Sequence, residues 1–162
     1  MNLTIERLKE VFTYEPETGL FKRNYSGNGY SKGAVAGCVG RRGYIQINVD
    51  RVQYRANRLA WFYMTGEFPS LVVDHIDGNT SNNTWSNLRL ATASQNVMNS
   101  SLHKAGTSTN IKGIYVDKHG DIHAQVTKEG TRYRKIFKEM AKAVEWITAI
   151  REQVHGEFAN HG

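Results

Sequence analysis

Leu3, Ile5, Leu8, Val11 and Phe12 recur at near-helical spacing, which predicts a short amphipathic helix over residues 3–12. Pro16 and Gly19 end it, and Gly19 to Arg23 opens an extended stretch. The segment from Gly27 to Gly43 holds six glycines and predicts turns and short strands. Gly43 to Val49 alternates apolar and polar, and Asp50-Arg51 fits a tight turn into a second strand over 52–55. Ala56 to Thr65 reads as a helix stopped by Gly66. Two short apolar strands follow, 71–75 and 88–91, separated by a polar loop rich in asparagine. Thr92 with Gln95 makes a capping pair that opens a helix over about 93–101.

A polar stretch, 104–111, reads as a linker, and a separate pattern succeeds it. Residues 113–116, 122–127 and 132–137 predict three strands, with turns at His119-Gly120 and Glu129-Gly130. A helix from Glu139 to about His155 carries Ala143, Trp146, Ile147 and Ile150 on one stripe. The whole reads as an α+β protein.

Composition narrows the function. The chain has 162 residues, 40% hydrophobic, and no run approaches the roughly 18 apolar residues of a membrane helix. Cys38 is the single cysteine, so no intramolecular disulfide or Cys-rich zinc site forms. With no signal-peptide succession at the N-terminus, the expectation is a cytoplasmic protein, with no membrane partner.

The net charge of +6 matters less than its placement. Lys22, Arg23, Lys32, Arg41, Arg42, Arg51, Arg55 and Arg58 face a single acid, Asp50, between residues 22 and 58. From Lys104 onward ten basic residues face seven acidic ones. These segments flank a slightly acidic centre, Asp74-His75-Ile76-Asp77-Gly78-Asn79, with Asn82, Asn83, Asn87 and Asn96 beyond. A histidine beside a carboxylate among amides has the components of metal-assisted hydrolysis. Asp and Asn oxygens suit a hard cation, and a neutral imidazole can deprotonate water. Composition alone leaves a second reading open, an Asn-rich turn that only satisfies its own backbone.

The ordered succession is more specific. Asn57-Arg58-Leu59-Ala60-Trp61, Gly66-Glu67-Phe68-Pro69, Val73 to Asn79, Asn82-Asn83, Asn87-Leu88-Arg89 and Ala91 to Asn96 together resemble the HNH endonucleases of phages and mobile introns, of the homing type. The resemblance implies a ββα-metal core, two strands and a helix around one Mg²⁺ or Mn²⁺. By position it makes His75 the general base and Asp74 a metal ligand. Asn87 becomes the brace of the loop that helps hold the histidine, and Asn96 the second metal ligand. Asp77 is read as a turn former or a group in the metal's outer shell, the turn favoured because Gly78 follows it.

Residues 112–162 are similar to the Apetala-type, ethylene-response-factor-like DNA-binding domain. That similarity implies a sheet lying in the major groove, with Gln125, Arg132, Arg134 and Lys135 as DNA-binding residues and His123, Thr127 and Tyr133 as further candidates. Strand alternation puts Arg132 and Arg134 on one face and Tyr133 and Lys135 on the other. The implied organisation is an N-terminal basic region (1–58), an HNH core (59–103), a linker (104–111) and a C-terminal DNA-binding domain (112–162). The expected function is a site-specific, divalent-metal-dependent endonuclease acting on double-stranded DNA as a monomer or homodimer. Its rival is a DNA-binding protein that keeps the fold without cutting, motivated by Asn57, where relatives often carry His.

Overall fold

The computed structural model describes residues 3–27, 29–99, 109–128 and 130–159. The expected linker 104–111 lies largely outside them, as do positions 100–103 of the expected core and the turn residue Glu129. The chain divides into two compact units, Met1–Thr92 and Ala93–Gly162.

The first unit begins with α1 (Ile5–Val11), capped by the Thr4 side chain, which accepts from the Arg7 amide at 3.2 Å. Phe12 turns extended and ends the helix one residue earlier than its spacing predicts. It starts β1 (Phe12–Glu15), which pairs antiparallel with β2 (Leu20–Arg23). β3 (Cys38–Val39), β4 (Ile45–Val49) and β5 (Val52–Arg55) form a three-stranded antiparallel sheet. The β4–β5 turn is the expected Asp50-Arg51, with φ of 48° and 68°. Left-handed backbone disfavours side chains here. Arg7 offsets that cost by donating to both Asp50 carboxylate oxygens, at 2.9 and 2.7 Å.

α2 (Ala56–Thr65) ends at Gly66, whose φ of 80° gives the expected left-handed cap. β6 (Val72–His75) then pairs with β7 (Leu88–Ala91). Leu8, Phe12, Phe21, Ile47, Leu59 and Val73 share one buried core. Residues 3–58 and the β6–β7 hairpin therefore fold as one packed body.

In the second unit, α3 (Ala93–Asn99) starts directly after Thr92, as the capping pair predicts. β8 (Ile114–Val116), β9 (Ile122–Lys128) and β10 (Thr131–Phe137) form an antiparallel meander. α4 (Met140–His155) covers one face of it. Ile114, Ala124, Val126, Ala143 and Ile147 make the core between them. No helix among the described residues is long and apolar enough to cross a membrane.

Candidate active site

β6 ends on Asp74 and His75, and β7 brings Arg89 opposite Asp74 and Leu88 opposite His75. Asp74 accepts from Arg89 Nε at 3.1 Å, with side chains only 7% and 13% exposed. His75 is buried, 3% exposed. Its Nε2 lies 3.1 Å from Asn83 Oδ1, and its ring is 5.9 Å from that of Tyr44. Burial pushes the His75 imidazole below its ordinary value of 6.5, outweighing the Asn83 bond and the Asp77 and Asp74 charges that favour the proton. The ring is therefore neutral at pH 7, the form that accepts a proton.

Asn87 braces the loop between the strands. Its Oδ1 accepts from the Asp77 amide at 3.0 Å, and its Nδ2 donates to Asp77 Oδ1 at 2.9 Å and to the Asn82 carbonyl at 2.8 Å. Its main-chain carbonyl accepts from the Ile76 amide, immediately after His75. Asp77 also accepts from the Asn79 amide and Asn82 Nδ2. Burial would raise the Asp77 carboxyl, but the donors from Asn82, Asn87 and Asn79 hold it below the usual range. Both Asp77 oxygens thus serve the loop, in keeping with a turn former. The expected contact of Asn87 with the histidine is indirect; a side chain that bonds the ring directly is Asn83.

The basic N-terminal segment is tied to this loop. Thr80 Oγ1 donates to the Arg42 carbonyl at 2.9 Å and Ser81 Oγ to that of Gly43 at 2.8 Å. Arg41 and Arg42 are therefore held beside the Asn-rich loop. The Arg55 guanidinium lies 4.1 Å from the Tyr44 ring centre, and that ring in turn neighbours His75.

Asn57 is 2% exposed, and its Nδ2 donates to the Val73 carbonyl at 2.8 Å. It ties α2 to β6 one residue before Asp74. That structural bond is made without a histidine.

The remaining expected sites divide. Asn96 stands half-buried on α3 in the second unit, whereas Asp74, His75 and Asn87 share the first. Lys32, Arg41, Arg42, Arg51 and Arg55 are exposed. Lys22 pairs with Glu15 at 2.5 Å. Arg23 stacks 4.0 Å from the Tyr30 ring centre, and both line a cavity of about 630 Å³ with Arg7, Tyr25 and Arg51. Asp74 and His75 are not among its walls.

The Arg58 guanidinium donates to the Pro69 and Leu71 carbonyls at 2.9 and 3.3 Å, so it clamps the loop after α2. On the C-terminal sheet, Arg132 and Arg134 lie opposite Thr127 and Gln125, on the face away from α4. Lys135 lies opposite buried Ala124 and projects on the α4 side, over Phe137, the face that strand alternation predicts for it. His123 is buried, with Nε2 2.8 Å from Asp117 and Nδ1 accepting from Arg134 at 2.7 Å. It holds Arg134 in place and does not itself face solvent.

Asn83, Arg89 and Tyr44 escaped the sequence reading as partners of the site. For Arg89 a signal existed, because an arginine on the returning strand can stand opposite the aspartate. Nothing in the composition singles out Asn83 among its neighbours.

Among the described residues no three His, Cys, Asp or Glu side chains converge as a metal group. A hydrated hard cation needs only one or two carboxylates, completing its shell with water and substrate phosphate. The single Asp74 carboxylate, shielded and oriented by Arg89, fits such a cation and does not fit a closed protein cage.

The family described as HNH endonuclease matches residues 54–98, which span α2, β6, the Asn-rich loop, β7 and most of α3. Protein 3.8 of Escherichia phage T7 is 35% identical over 101 residues, covering 61% of this chain and 83% of that protein. An HNH endonuclease of Acanthamoeba polyphaga mimivirus, L560, is 36% identical over 124 residues, covering 75% of this chain and 63% of that one. Among solved structures, the HNH homing endonuclease I-HmuI aligns loosely, with a TM-score of 0.44 and 22% identity over 96% of this chain and 91% of that chain.

Proposed function

The chain carries an HNH endonuclease domain over residues 54–98, and on that premise we propose that it hydrolyses phosphodiester bonds of double-stranded DNA with a divalent cation, His75 acting as general base. The observation that carries the reading is a neutral, buried imidazole, held by an amide, directly after a shielded aspartate at the end of β6.

Asp74 is the proposed carboxylate ligand. For Asn96 the role of second ligand rests on the family resemblance alone. Bound there, Mg²⁺ or Mn²⁺ supplies charge neutralisation on the phosphate and at the leaving oxygen. His75 takes a proton from the water that attacks phosphorus, and the bond to the leaving oxygen breaks. Asn87 keeps the loop closed so that His75 stays at the strand end.

Arg41, Arg42 and Arg55 are the proposed phosphate contacts nearest the chemistry, because their segment is tied to the loop or to Tyr44. Lys22, Arg23, Lys32 and Arg51 extend that basic surface. In the second unit we assign the open sheet face, with Gln125, Arg132 and Arg134, to the DNA.

The test is supercoiled plasmid DNA incubated with the full chain and Mg²⁺, beside a matched EDTA control. Relaxed circles formed only with metal establish nicking, and linear product establishes double-strand cutting. A gel shift without any cutting overturns the proposed chemistry.

A further inference from the structure

We infer that Asn83 is the positioning residue of this site: its side-chain oxygen holds His75 in the Nε2–H tautomer, which leaves the basic lone pair on Nδ1. The use of that lone pair in cutting rests on the proposed role of His75 as base.

Between Asn83 and the ring, the hydrogen-bond chemistry permits one arrangement. Asn83 Nδ2 donates to the Ser81 carbonyl at 3.2 Å. A carbonyl only accepts, so the amide nitrogen faces Ser81 and Oδ1 faces the imidazole, 3.1 Å from Nε2. An amide oxygen also only accepts, so Nε2 must carry the hydrogen. Turning the amide over would set two oxygens against each other at Ser81. Asn83 and His75 are 4% and 3% exposed, so bulk water offers little competition for this bond.

The N-terminal hairpin holds Asn83 itself. The buried Tyr14 hydroxyl donates to the Asn83 carbonyl at 2.7 Å. Gly19, at φ +71°, packs so tightly that a Cβ there would stand 2.4 Å from both Asn83 C and Thr84 N. The Trp85 amide donates to the Pro16 carbonyl at 2.9 Å. The β1–β2 hairpin is thus a wall of the active centre as well as the carrier of Lys22 and Arg23.

The experiment reads the tautomer directly, by ¹⁵N ring spectra of the metal-free full chain, with the His75 signals identified by their absence from His75→Gln. The expected wild-type state is Nε2–H. In Asn83→Leu the tautomers should mix, and kcat on supercoiled plasmid with Mg²⁺ should fall about 10- to 100-fold, the usual cost of losing an orienting partner, with KM unchanged. Asn83→Asp keeps an acceptor for Nε2–H but sets its second oxygen against the Ser81 carbonyl, so it should keep the hydrogen on Nε2 at a cost in stability. A wild-type Nδ1–H state, or a folded Asn83→Leu with the wild-type tautomer, overturns the inference. If Asn83→Leu does not fold, the wild-type spectrum decides, since it must show Nε2–H. A shifted tautomer with undiminished cutting sustains the role of Asn83 and refutes His75 as the base.

Discussion

Replacing Asn87 with alanine tests the loop architecture most directly. The substitution removes three side-chain hydrogen bonds, two to main-chain groups and one to the Asp77 carboxylate. A neutral bond contributes about 1 kcal/mol net and one to a charged group about 1.5–3 kcal/mol. Asp77 is exposed and can recover water, so the low end applies, a loss of about 3 kcal/mol. With a urea slope of about 2 kcal/mol per molar, the unfolding midpoint of the first unit should fall by about 1.5 M. Trp61 and Trp85 supply a local probe, because their rings lie 5.0 Å apart within that unit. Trp146 lies in the other unit, so the exciton signal of the close pair follows the first unit alone. Cutting should decline with it, since the loop that the Asn87 side chain closes follows directly on His75. A midpoint unchanged within error, with cutting intact, would refute the bracing role. Asn87→Asp sharpens the test: it keeps the acceptor for the Asp77 amide but sets two carboxylates together, so it should be worse than alanine at pH 7. The gap should close as acid protonates the pair.

Gly19→Ala, remote in sequence from the histidine, should cost more than about 2 kcal/mol, because left-handed backbone alone costs about 1–2 kcal/mol and the added Cβ meets main chain that cannot turn aside; a thermal melt and the plasmid assay check it. His75→Ala should lower the cutting rate about 10²- to 10⁴-fold while a gel shift stays near wild type; equal loss of both would remove His75 as the base. Because burial lowers the His75 value, its neutral fraction rises with pH, so cutting should be lost as pH falls and should reach its plateau with a half-point below 6.5. A pH–rate profile with its half-point above 6.5 contradicts that sign. Arg132→Ala and Arg134→Ala should weaken DNA binding, and each should reduce its salt slope by about one, the share of a single neutralised phosphate, whereas Lys135→Ala, on the other sheet face, should leave both unchanged.

Much of this molecule is legible along the chain because its elements are set by near neighbours. α2 and its glycine stop, the Asp50-Arg51 hairpin, the paired strands around the Asn-rich loop and the C-terminal meander follow from side-chain period and turn chemistry. The β1–β2 hairpin was obscured because Phe12 continues the spacing of Leu8 and Val11, although Phe12, Tyr14 and Phe21 all turn inward. Asp74, His75 and Asn87 were likewise visible, since their order and spacing carry the family pattern.

Tertiary structure decided what each polar group meets. Several asparagines follow His75, and the local sequence does not rank them. Asn83 reaches the ring because a tyrosine 69 positions away holds its carbonyl and a glycine presses on its backbone. Arg58 counts as positive charge in any composition, yet its guanidinium donates to loop carbonyls. Asn57 looked like a departure from its relatives and is a buried tie between α2 and β6. Helices, strands and turns answer to hydrogen bonds and side-chain periods a few residues long, so the sequence by itself determined them. Partner choice at the site depends on burial, which belongs to distant segments packed together, and only the folded chain decides it.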